Sequence, residues 1–159
     1  YVIIDTLPLF DRTVMTILDL SDQAVIVVEN VVPTLQTVRG FFNLLSEVNF
    51  PESRQRVLLN RFTTRGGSPG IGDVAKYLER QPDYVVPFNR NVVTAANTGT
   101  PVVMTSRRGA ASAFRELAKD IQSLEVREAP SFDTANEANR PSSEQGAYES
   151  QNSLGSASS

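Results

Sequence analysis

An aspartate closes a run of apolar, mostly β-branched residues near the start of the sequence: VIID, residues 2–5, followed by TLP. A carboxylate at the C-terminal end of a buried parallel strand stands where α/β proteins bind their ligands. There it can hold Mg²⁺, directly or through water, beside the β- and γ-phosphates of a nucleotide. The plainer reading is a strand leaving into a turn, where Asp is common. A second polar strand end is Asn60 in RVLLNR, residues 56–61. Its carboxamide offers donors and an acceptor, which suits the edge of a purine and equally suits capping a strand. A third is VVPFNRNVVTAANTGTPVV, residues 85–103, where a strand passes through Pro87, Phe88 and Asn89 into a helix closed by Asn97, Thr98 and Gly99. Ordinary strand-to-helix loop chemistry also accounts for it.

The remaining chemistry is narrow. The chain has no cysteine and no histidine. That excludes disulfides, the usual zinc sites, Cys nucleophiles and His bases. What is left is carboxylates, Lys/Arg, hydroxyls, backbone amides and a hard cation such as Mg²⁺. RGGSPGIGD, residues 65–73, lacks the Gly-Lys-Ser/Thr ending of a phosphate loop, and Lys76 falls inside the next helix. It reads as a flexible surface loop, and Arg107 with Arg108 reads as a solvated loop, the alternative being a contact to an anionic partner.

A length of 159 residues with 40% apolar content suits one soluble domain to carry these residues. No apolar run approaches the ~20 residues of a membrane span. Residues 1–128 hold fourteen acidic and fourteen basic side chains, whereas 129–159 hold Asp133, Glu137, Glu144 and Glu149 against Arg140. A neutral body gives no strong nucleic-acid signal.

Apolar runs at 2–5, 23–29, 54–60 and 83–87 predict four strands. QAVIVVE and RVLLN are continuous enough to be buried on both faces. Helices are expected at 11–22, 33–48, 73–80, 89–97 and 110–124. In the second, Leu35, Val38, Phe41, Phe42 and Leu45 share a face, and Pro33 suits the first turn. PVVMTS, residues 101–106, is ambiguous. The alternation implies βαβ units: an α/β fold, a partial three-layer sandwich with a mostly parallel sheet. From 128 the sequence turns to Ser, Asn, Ala and Glu and is expected to be a disordered tail.

Taken in order, YVIIDTLP, SDQAVIVVE, VLLNR, VVPFNRNVVTAANTGTPVV and AFRELAKDI resemble the MinD/ParA group of P-loop ATPases. Within that group the sequence looks most like the CpaE/TadZ-type proteins of pilus assembly. The resemblance covers about residues 1–124. It implies that Asp5 is the Walker-B-like carboxylate acting on Mg²⁺ and the attacking water, with Thr6 and Pro8 in the switch segment after it. It implies that Asn60 and Arg61 are the Asn-Arg pair at the adenine, and that Pro87, Phe88 and Asn89 lie in the loop lining the base. The cofactors implied are ATP and Mg²⁺. The implied partners are a second copy across the nucleotide face and proteins of an assembly or positioning system. The implied location is the cytoplasm, with recruitment to a pole or the inner membrane through partners. The family often has Asp-X-Pro-Pro where this chain has Asp5-Thr6-Leu7-Pro8.

The family's first strand and its lysine-bearing phosphate loop precede the matched region and are not among these residues. The expectation is therefore a C-terminal portion, residues 1–127, of a larger ATPase domain, inactive when isolated. A non-hydrolysing scaffold of the same fold, a bacterial tyrosine kinase and an unrelated phosphate-binding module remain alternatives.

Overall fold

A computed structural model describes residues 1–6 and 11–124. Three strands, β1 (Ala24–Glu29), β2 (Gln55–Phe62) and β3 (Tyr84–Pro87), form a wholly parallel sheet in the order β1-β2-β3. Register runs from Ala24 opposite Gln55 to Glu29 opposite Asn60, so two polar residues end neighbouring strands side by side. The helices are α1 (Arg12–Leu20), α2 (Val32–Glu47), α3 (Ile71–Leu78), α4 (Arg90–Thr98), α5 (Val102–Thr105) and α6 (Ala110–Ser123). The ambiguous stretch at 101–106 thus resolves into a single short helix. A strand that must pair in parallel with the next needs a long crossover, and helices supply it here.

Alternation along β1 and β2 sorts the apolar residues into two layers. One face carries Ile26, Val28, Val57 and Leu59 against Leu35, Val38 and Leu45 of α2 and Val74 and Leu78 of α3. The other carries Leu58 and Val86 against Ala110 and Ala113 of α6, with Phe114 and Leu117 beside them. The three-layer α/β sandwich expected from the sequence is present. Alanines on α6 bring its axis close to the sheet, which is why a helix with a mixed polar face packs there. Local signals set the ends: Asp11 accepts from Val14 N (2.9 Å) at the start of α1, Pro33 lies in the first turn of α2, and Gly99 takes φ +66° after α4.

One expected element is absent. Residues 1–6 form no strand, and Tyr1, Val2, Ile3 and Ile4 are between 54% and 90% exposed. A strand exists only as a partner in a ladder, and four β-branched or aromatic residues without one leave every amide to water. The sheet therefore has three strands where four were expected. On β1 the edge away from β2 has no described neighbour, and Val27, on the α6 side, is 55% exposed. The expected tail beyond residue 128 lies outside the described residues, as do Leu7 and Pro8.

Candidate functional site

The C-terminal ends of β1, β2 and β3 open onto one cleft of about 550 Å³, lined by Glu29, Asn30, Val31, Arg61, Phe62, Thr63, Arg65, Ser68 and Phe88. This is the edge at which parallel sheets place ligands. Its geometry starts at Asn60, whose Oδ1 accepts from Arg61 N at 3.0 Å. That local bond favours a turn, and Arg61 takes φ +51°. The β2–β3 register slips between Leu59 and Phe62 at the same place. A β-bulge of this kind re-aims the side chain that follows. Arg61 consequently leans over the Phe88 ring, 6.0 Å from its centroid, and its Nη1 lies 3.5 Å from Glu29 Oε1. Phe88 is fixed by its own amide, which donates to Phe62 O at 2.9 Å.

The far wall is the glycine-rich loop. Asn30 is only 3% exposed, and its Nδ2 donates to Thr63 O at 2.6 Å and to Pro69 O at 3.0 Å. One buried amide thus ties both ends of the loop to the end of β1. Gly66 and Gly67 take φ +69° and +76° between those ends, turning the chain so that Arg65 and Ser68 border the cleft. The loop expected to be a free surface feature is anchored and forms part of the wall.

Of the residues singled out in the sequence, Arg61 and Phe88 border the cleft, and Asn60 shapes the turn between β2 and the cleft wall. Pro87 ends β3, paired with Phe62, and Asn89 caps α4 by accepting from Asn91 N at 2.9 Å. Asp5 and Thr6 are exposed in the extended segment and do not border the cleft. Pro8 lies outside the described residues. Asn30, Thr63, Arg65 and Ser68 were missed. The signal for Asn30 was available: it follows β1 directly, on the same sheet edge as Asn60.

The residues present fit one end of a nucleotide better than the other. A guanidinium over an aromatic ring, with polar groups beside it, suits a planar heterocycle. Among the described residues no group of three or more carboxylates could hold a metal alone. Mg²⁺ usually keeps waters and phosphate oxygens and needs only one or two protein carboxylates.

A strongly coupled group sits at the opposite end of the sheet. The Tyr84 hydroxyl donates to Asp120, which also accepts from Arg56 Nε at 3.2 Å. Burial, then the hydrogen bond to Asp120, pushes Tyr84 up to about 12. The Tyr84 hydrogen bond, then Arg56, holds the Asp120 carboxyl below its ordinary value. This cluster clamps α6 to the starts of β2 and β3 and has no part in the cleft.

No family model matches the chain. The septum site-determining protein MinD of Thermotoga maritima is 23% identical over 126 residues, covering 77% of this chain and 46% of that protein. A MinC:MinD cell division complex from Aquifex aeolicus superposes with TM-score 0.62 at 20% identity, covering 76% of this chain and 52% of that one. A ParA family ATPase from Chlorobium tepidum TLS gives 0.60 at 19%, covering 69% and 46%. MinD complexed with Mg-ADP from Pyrococcus horikoshii OT3 gives 0.56 at 17%, covering 65% and 42%. The α/β fold is similar to that of the matching part of these MinD and ParA proteins. The chain spans about half the length of these relatives.

Proposed function

We propose that this chain supplies the base-binding side of an ATP site in a MinD/ParA-type ATPase. The observation that carries the reading is the convergence of Arg61 and Phe88 on one open cleft at the C-terminal ends of parallel strands. Asn60 sets the turn that aims Arg61, and in this reading its carboxamide addresses the adenine edge together with Arg61 and the loop of Pro87, Phe88 and Asn89. Asp5 approaches the Mg²⁺ end, with Thr6 and Pro8 in the segment that responds to it. The phosphate-binding loop belongs to a further part of a longer protein, since the chain spans about half of its relatives. Residues 1–127 are then the C-terminal portion of the ATPase domain, and the isolated chain binds ATP weakly and does not turn it over.

The similar proteins are a septum site-determining protein, a cell division complex and a ParA family ATPase. In this protein we infer a role in positioning or assembling a cellular machine, a pilus of the CpaE/TadZ type, through a homodimer across the nucleotide face. No helix among the described residues is long and apolar enough to cross a membrane. The working location in this reading is the cytoplasm, with recruitment to a pole or inner membrane through partners. Leu7, standing where the family often has proline, favours a second reading, a scaffold that binds ATP without hydrolysing it.

Titration of a fluorescent ATP analogue into the full-length protein tests the site. Arg61→Ala and Phe88→Ala should each weaken binding about tenfold, the loss of roughly one charged or stacked contact. Unchanged affinity in both would sink the cleft as the base site. Turnover measured beside binding separates ATPase from scaffold.

A further inference from the structure

From residue 84 to 115 the chain contains no aspartate, glutamate or lysine, yet holds Arg90, Arg107, Arg108 and Arg115. Arg115 is spent inside the fold: its guanidinium donates to Val103 O and, at 2.7 Å, to Ser106 O. That fastens the end of α5 and the turn after it. The other three are exposed, and among the described residues their guanidinium groups make no hydrogen bond or ion pair. Elsewhere Arg39, Arg56 and Arg80 face Glu79, Asp120 and Asp83. The three free arginines are drawn together by Gly109, where an added β-carbon would lie 3.5 Å from Asn89 Nδ2 and 3.9 Å from Pro87. The turn bearing Arg107 and Arg108 therefore abuts the loop that leads into Arg90.

Two large apolar side chains beside them are uncovered. None of the nine residues of α4 is fully buried; the helix packs on α5 and, through half-buried Val92, on the core of β2, β3 and α6. Val93 is 57% exposed and Met104, on α5, is 78% exposed. A helix this short holds its shape through packing on one face. Here Val92 supplies that packing, and Val93 is left outside it.

We propose that α4, α5 and the turn at 107–108 form a docking surface for an acidic, amphipathic segment of a protein partner. Arginine matches carboxylates by paired, parallel hydrogen bonds, and it is enriched with methionine at protein interfaces where lysine is depleted. Val93 and Met104 fit the apolar positions of such a segment. A phosphate backbone has no use for them. A lipid surface calls for a longer helix with a continuous bulky apolar stripe, which α4 and the four-residue α5 do not provide. The proposal does not depend on the nucleotide reading, since these five side chains do not border the cleft.

The test uses the full chain and a labelled helical peptide with leucines at i, i+3, i+4 and i+7 flanked by glutamates. Fluorescence anisotropy should show saturable binding at low salt that weakens as salt rises. The combined Arg90→Glu, Arg107→Glu and Arg108→Glu variant should lose at least about tenfold in affinity. Met104→Ala should lose about threefold, the share of one partly buried apolar side chain. The combined Lys-for-Arg variant should bind more weakly than the parent while remaining well above the Glu variant. It keeps the charge and the fold if the Glu variant fails to fold. Absence of saturable binding, equal binding of a matched peptide with lysines for glutamates, or tighter binding to anionic vesicles or to a DNA single strand would each overturn the proposal.

Discussion

Asn30 is the sharpest place to perturb the cleft. Replacing it by Ala removes two hydrogen bonds, to Thr63 O and Pro69 O, from a side chain that is 3% exposed. Each bond contributes about 1 kcal/mol net, and carbonyls left short of donors in a part-buried site add up to about 1 more, so Asn30→Ala should cost about 2–3 kcal/mol. In thermal unfolding that is a fall of roughly 6–10 °C for a domain of this size. Asn30→Asp is the discriminating partner. At neutral pH it sets a carboxylate against the two carbonyl oxygens that Nδ2 now serves, and an unpaired buried charge costs about 3–5 kcal/mol. Such a carboxyl has a raised pKa in the folded state. Its penalty relative to Ala is therefore full at neutral pH and shrinks as acid protonates it, when it can donate one of the two bonds. Denaturant midpoints for both variants at neutral and acid pH supply the comparison. If Asn30→Asp matched Asn30→Ala at neutral pH, or if Asn30→Ala stayed within about 0.5 kcal/mol of the parent, the tie between the loop and β1 would not hold as described.

Other outcomes follow from the same structure. Leu59, fully buried on the α2 side of β2, should cost about 2–5 kcal/mol as Leu59→Ala, read by urea unfolding. Gly109 has φ +61° and ψ −129°, a conformation closed to side chains, so Gly109→Ala should cost about 1–3 kcal/mol by the same measurement. The Tyr84 pair makes a contribution with two pH limits. Because Tyr84 rises from 10.0 to about 12, its share is complete below the lower value and is lost as pH climbs toward the upper. Because Asp120 is lowered, its share is present above the ordinary carboxylate value and is lost as pH falls through the depressed one. Tyrosinate absorbance should show one late-titrating tyrosine that Tyr84→Phe removes. Finally, the edge of β1 that has no neighbour among the described residues should make the isolated chain associate with rising concentration, and Val27→Lys should reduce that in sedimentation velocity.

The sequence spoke clearly where a segment's pattern is its own. The apolar runs of β1 and β2 and the spaced Leu35, Val38 and Leu45 of α2 depend on burial alone, and the structure has them within a residue or two. Residues 2–5 carry the same β-branched signature and form no strand, because strand formation is a relation between two segments and their composition describes only one. Arg61 and Phe88 were visible as strand-end residues. Arg65, Thr63 and Ser68 were not, since what brings them to the cleft is the reach of Asn30 across more than thirty positions of chain. Periodicity carries no trace of such a tie.

The left-handed turn at Arg61 makes that one residue nearly invisible to any selection made on stability. A side chain held at φ +51° costs about 1 kcal/mol that glycine would not incur. The exposed contacts that Arg61 makes with Glu29 and the Phe88 ring return a similar amount, about 0.5–1 kcal/mol. Arg61→Gly should therefore unfold at almost the parent's temperature while the cation over the cleft is gone. A library of variants ranked by melting point would pass this substitution as harmless. Only a screen that reads ligand occupancy, independently of folding, keeps the arginine in place.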